Sequence, residues 1–206
     1  MKPLLILLGL LSASPARAAE PACEFHVWPS NSTGAVTAGV LSNFGPLGAY
    51  ADLQSNRDAT MHDQVTLIET LTVPRQAQAV MTADLPQLLG LGQVRLIFQR
   101  ENFDPRTATR QTIRMTNSTA PCYAELIVSL NEYRNSAVRG ASLKTELTFK
   151  DFRNGRPRIT TASQAAALRH FPARTPEQKA LAELDISDAF AANLRTFAKR
   201  VAKRRR

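Results

Sequence analysis

The side chains able to do chemistry here are three histidines, two cysteines and a run of cations at one end of a 206-residue sequence. His26, His62 and His170 stand far apart. None has a second ligand at i+2, i+3 or i+4, so the spacings that hold zinc and similar ions are missing. His62-Asp63 is the best acid–base pair, although a polar loop before an element is the plainer reading. A serine hydrolase would need a pattern such as G-x-S-x-G, and a phosphate binder a glycine-rich loop running into a helix. Neither occurs. Leu89-Gly90-Leu91-Gly92 is a helix stop followed by a strand start, without the preceding strand and following helix of a dinucleotide loop. The sequence thus offers no catalytic residue, no metal site and no cofactor motif.

The cysteines are read through the first residues. Lys2, the 11-residue apolar run Pro3 to Ala13 and Ala16-Arg17-Ala18 form a cleavable secretory signal over residues 1–18. That run is too short to span a bilayer, which takes about 20 helical residues. No later stretch is long and apolar enough to form a transmembrane span. Cys23 follows Glu20-Pro21-Ala22, which lacks the Leu and small residues of a lipidation motif. Two cysteines, no CxxC and an oxidising destination predict a Cys23–Cys122 disulfide.

The formal charge of +9 is unevenly placed. Beyond residue 18, 24 basic residues face 17 acidic ones, and seven of the basic ones lie in residues 195–206. These are Arg195, Lys199, Arg200, Lys203, Arg204, Arg205 and Arg206, with no acid among them. Residues 19–194 are neutral, so all the excess is in this basic tail. Such a tail suits an anionic membrane surface or an envelope protein. Nucleic acid is disfavoured by the neutral body, by export, and by 6% aromatics with no stacking pattern. Arginine exceeds lysine 20 to 6 in an alanine-rich chain, a bias of GC-rich bacteria, and export then means the periplasm.

These residues must be carried by one domain, residues 19–206. Glu24 to Val27 is a short strand ended by Trp28-Pro29 and a turn, and Ala35 to Gln54 is at best a broken helix. Val65 to Val73 fits strand and helix periods equally. Pro74 opens a helix through Val80 and Met81, and Asp84 caps a short one, Leu85 to Leu89, that stops at Gly90. Val94 to Phe98 is a strand and Thr109 to Thr116 a polar edge strand. Cys122 to Tyr133 alternates, with Ala124, Leu126, Val128 and Leu130 on one face and Tyr123, Ile127 and Tyr133 on the other. Leu143 to Phe152 repeats the alternation, and Gly140 marks the turn of an antiparallel hairpin.

Thr175-Pro176-Glu177-Gln178 starts a C-terminal helix with the apolar stripe Ile186, Phe190, Leu194, Phe197 and Val201. The fold expected is α+β: a single domain with an antiparallel or mixed sheet, helices packed on one face, and a C-terminal amphipathic helix.

Three segments carry a resemblance. Val27-Trp28-Pro29-Ser30-Asn31-Ser32-Thr33-Gly34, Tyr123-Ala124-Glu125-Leu126-Ile127-Val128-Ser129 and Leu143 to Gly155 resemble bacterial envelope accessory domains. That group includes curli-secretion lipoproteins, penicillin-binding-protein activator lipoproteins and auxiliary components of envelope ABC transporters. The chain departs from it in lacking a lipidation Cys and in having Ser129-Leu130 where the group has Gly. The resemblance implies an α+β domain that acts by contact, a non-catalytic periplasmic accessory or scaffold protein. The alternative is a small secreted hydrolase or ligand-binding protein whose site is not legible as a motif.

Overall fold

The computed structural model describes residues 23–38, 54, 57–99, 104–136 and 139–204. The secretory signal expected over 1–18, most of the broken helix expected over 35–54, and Arg205 and Arg206 lie outside the described residues. Along the chain run β1 (Cys23–Trp28), β2 (Thr33–Ala38), α1 (Arg57–Thr70), α2 (Val73–Thr82), α3 (Leu85–Leu88) and β3 (Val94–Phe98). Then follow α4 (Pro105–Arg110), β4 (Tyr123–Ser136), β5 (Gly140–Asp151), β6 (Arg158–Ala167) and α5 (Lys179–Lys203). The fold is α+β, as expected, with a mixed sheet in the order β3-β1-β4-β5-β6.

The hairpin is the frame. β4 and β5 pair antiparallel from Ala124 opposite Asp151 to Ser136 opposite Gly140. Gly140 has φ 71°, a left-handed value that glycine adopts without steric cost. β6 extends this unit antiparallel to β5. On the other side β1 runs parallel to the first half of β4 and β2 parallel to the second half, while β3 runs parallel to β1.

Between β1 and β2 the ladder is broken by Pro29, which has no N–H to give. The buried amide of Gln76 in α2 bridges the break. Its Oε1 accepts from Ser30 N at 3.0 Å and its Nε2 donates to Ser30 O at 2.8 Å and Leu71 O at 2.7 Å.

A bulge between Val128 and Leu130 corrects the expected facing of β4. The extra residue reverses the alternation beyond it. Asn131 and Tyr133 therefore share the helix-covered face with Ala124, Leu126 and Val128, and Leu130 leaves it. On that face α5 buries Ile186, Phe190, Leu194, Phe197 and Val201, each 2% exposed or less. Burying each is worth about 1.5–3 kcal/mol. Asn193, on the same buried side of α5, donates to Leu143 O at 2.8 Å and Thr145 Oγ1 at 3.1 Å, and Thr145 donates on to Asn131.

One undecided stretch is settled, and three local expectations change. Val65 to Val73 is helical, divided between α1 and α2 at Thr72. Thr109 to Thr116 is not an edge strand: α4 ends at Arg110, and residues 111–122 form a non-repetitive cover over the second face of the sheet. Asp104 starts α4, accepting from Arg106 N and Thr107 N. Asp84 precedes α3 in a left-handed conformation without a side-chain capping bond. Gln178 does not close a capping box on Thr175; its Oε1 accepts from Arg174 N at 3.0 Å.

Candidate functional site

The cover 111–122 encloses a polar cleft of about 730 Å³ against β1 and β3, lined by Glu24, His26, Arg95, Gln99, Thr116 and Ser118 among others. Glu24 and His26 are two apart in β1 and so project from one face of the sheet. His26 is nearly buried at 4% exposure, packed against the Tyr123 ring with centroids 4.7 Å apart and the ring planes tilted by 35°. Its Nδ1 accepts from Gln99 Nε2 at 2.7 Å and its Nε2 donates to Glu24 Oε2 at 3.0 Å. That pattern assigns the Nε2–H tautomer.

Ser118 Oγ donates to the same Glu24 oxygen, and Arg95 pairs with the other. These donors, Ser118 first, then His26 and Arg95, hold the Glu24 carboxyl down at about 2 against its ordinary 4.5.

Serine, histidine and carboxylate thus stand together in an order that generates no nucleophile. In an acyl-transfer triad the imidazole lies between hydroxyl and carboxylate and takes the proton. Here Glu24 lies between Ser118 and His26. It is also held too acidic to accept a proton near neutral pH.

Beneath it a second network pins the cover. Glu125 and Lys150, directly opposite in register, form a fully buried ion pair at 3.4 Å. Glu125 Oε1 also accepts from Met115 N at 2.6 Å and Tyr123 Oη at 2.9 Å. Arg114 lies over the Tyr123 ring at 4.6 Å and donates to Ser118 O at 2.6 Å. The Cys23–Cys122 disulfide, spanning 99 residues as the cysteine count predicts, ties the end of the cover to the start of β1.

The expected site residues take these places. Arg195, Lys199, Arg200 and Lys203 on α5, and Arg204 just after it, are all exposed, away from the buried stripe. None forms an ion pair among the described residues. The histidines do not converge: His26 lies in the polar cleft, His62 is exposed on α1 and His170 is exposed before α5. His62 and Asp63 both line another cleft, of about 440 Å³, where Asp63 is 7% exposed. Glu24, Arg95, Gln99 and Ser118 were not singled out by the sequence. The period-two spacing of Glu24 and His26 within a strand was the available signal, whereas Ser118 arrives from irregular chain.

No described helix is long and apolar enough to cross a membrane. Comparison with protein-family models and with curated proteins finds no match. Two solved structures give weak matches. One is an uncharacterized protein with 8% identity and a TM-score of 0.30, the match covering 90% of this chain and 95% of that one. The other is the hypothetical protein CT253 from Chlamydia trachomatis, with 10% identity and a TM-score of 0.31 over 87% of this chain and 96% of that one.

Proposed function

We propose that this chain is a non-catalytic periplasmic accessory domain that acts by contact, laying the cationic side of its C-terminal helix on an anionic membrane surface. The observation that carries this reading is the two-sided build of α5. Its stripe from Ile186 to Val201 is locked on the sheet, while Arg195, Lys199, Arg200, Lys203 and Arg204 face solvent without acidic partners among the described residues. Cations at a helix C-terminus also complement its dipole, by roughly 0.3–1 kcal/mol each and mainly within the last turn. Arg195 and Lys199 stand above that turn, so the dipole does not explain them. Near an anionic bilayer each Lys or Arg contributes about 1 kcal/mol, enough in sum for reversible attachment. The disulfide fits an oxidising compartment.

The test is co-sedimentation with vesicles of phosphatidylglycerol and phosphatidylethanolamine, beside phosphatidylcholine vesicles. The protein should bind the anionic vesicles alone, and a variant with these five residues changed to Gln should lose binding while melting normally. Equal binding by the two forms would overturn the reading.

A further inference from the structure

We propose that the cleft between α1 and the segment Phe171 to Lys179 binds a small aliphatic zwitterion, with the ligand's ammonium on Asp63 and its carboxylate toward Arg174 and Lys179.

The inward face of α1 is Asp63, Leu67 and Thr70. Leu67 is fully buried in the core, and Thr70 satisfies its hydroxyl by donating to Thr66 O at 2.8 Å. Asp63 is the exception. The residue is 7% exposed and lines the cleft, and its carboxylate has no hydrogen-bond donor among the described residues. Burial pushes its carboxyl above the usual range even though His62 and Arg174 pull it down. The hydroxyl of Tyr133, fully buried on β4, also has no partner, and it lies close enough to Asp63 for that charge to raise it further. Buried polar groups are almost always hydrogen-bonded, so a carboxylate that lines the cavity without a donor, with an unpartnered buried hydroxyl behind it, marks a place where a ligand completes the set.

Their chemistry selects the ligand. A carboxylate without donors is best met by an ammonium, which brings three N–H groups and the opposite charge. Phe171, Pro172 and Val65 line the same cleft with apolar surface suited to an aliphatic body. Phe171 is held in place from two sides. Its ring meets Tyr133 edge-on at 4.8 Å, and the N–H groups of Arg169, His170 and Phe171 all donate to Asp185 Oδ2 on α5. The cleft also presents Arg174 and Lys179, neither of them in an ion pair among the described residues. These suit the ligand's carboxylate. His62 and Glu69 face the cleft as well, and Glu69 disfavours an anion that carries no cation of its own. A volume of about 440 Å³ lies in the range of small-molecule sites.

The test is an NMR titration of the full, disulfide-bonded chain with 6-aminohexanoate, hexylammonium and hexanoate at millimolar concentrations. 6-Aminohexanoate should shift the amides of residues 62–69 and 171–179 saturably and bind most tightly. Hexylammonium should bind more weakly and hexanoate not at all. Asp63→Asn should weaken 6-aminohexanoate on the order of tenfold, the scale of one charge-assisted hydrogen bond. Arg174→Gln should bring 6-aminohexanoate down to the level of hexylammonium. Tyr133→Phe, which keeps the ring, gives a second variant that should weaken binding with the fold intact by its spectrum. The proposal fails if hexanoate binds as well as the zwitterion, if Asp63→Asn keeps full affinity, or if no probe shifts these amides.

Discussion

Two carboxylates of this chain are pushed in opposite directions, and the difference lies in the donors each one meets. Glu24 is met by Ser118, His26 and Arg95, and ionises in the folded protein at about 2 rather than 4.5. A depressed pKa adds stability that is fully present above the unfolded value and lost as pH falls through the folded one. Wild type should therefore lose stability between pH 4.5 and about 2, and Glu24→Gln should flatten that limb in acid melts followed by circular dichroism. Asp63 meets no donor and is raised from 3.8. The folded state then holds its proton longer than the unfolded chain, so stability falls as pH rises from 3.8 through the raised value. Asp63→Asn should melt higher than wild type at neutral pH, with the advantage shrinking toward acid. No gain at neutral pH would mean that Asp63 has donors after all. At this scale the sequence was partly legible: His62-Asp63 stood out as a pair and both line one cleft, but the helix leaves His62 exposed at its rim and buries Asp63, a difference the sequence does not show.

At the scale of elements, what could be read was what periodicity encodes. α5, β4 and β5 carry long, regular apolar patterns and are found where those patterns place them. Phe190, 0% exposed within the stripe, should cost about 3–5 kcal/mol when cut to Ala in urea unfolding. Asn193→Leu should cost about 1–3 kcal/mol even though it adds apolar volume, because Leu143 O and Thr145 lose a buried donor. Elements imposed by tertiary pairing were not legible. β6 reads Arg-Ile-Thr-Thr-Ala-Ser-Gln-Ala-Ala-Ala, and its second half, from Ala162 on, lacks strand formers and is held in place by ladder bonds to β5. β2 likewise owes its strand to the free second half of β4. The cover 111–122 has a threonine-rich sequence that suggests an edge strand, but its groups are committed to Glu125, Tyr123 and Glu24 instead. The bulge in β4 leaves no mark in composition, and it alone decides which face Tyr133 occupies.

The whole molecule is a neutral, disulfide-tied body with its charge gathered on one helix, and the two features can be perturbed independently. Reducing Cys23–Cys122 frees a long loop in the unfolded chain and should cost on the order of 2–5 kcal/mol in unfolding experiments, with little effect on charge. Deleting Lys203 to Arg206 does the converse, since it removes four cations and almost no apolar area. The buried stripe ends at Val201, so the sheet keeps its helix and melting should move by less than a degree or so of the several expected per kcal/mol. Attraction to an anionic bilayer is screened over about 8 Å at physiological salt and reaches much further at low salt. Vesicle binding by the full chain should therefore fall steeply as salt rises, and the truncated chain should bind less at low salt and show a shallower decline. Arg195, Lys199 and Arg200 remain in the truncated form and face solvent beside the missing turn, so part of the binding should persist. Should truncation leave both affinity and salt dependence unchanged, the last turn is only a solvated helix end, and any contact must be made by the cations nearer the middle of α5.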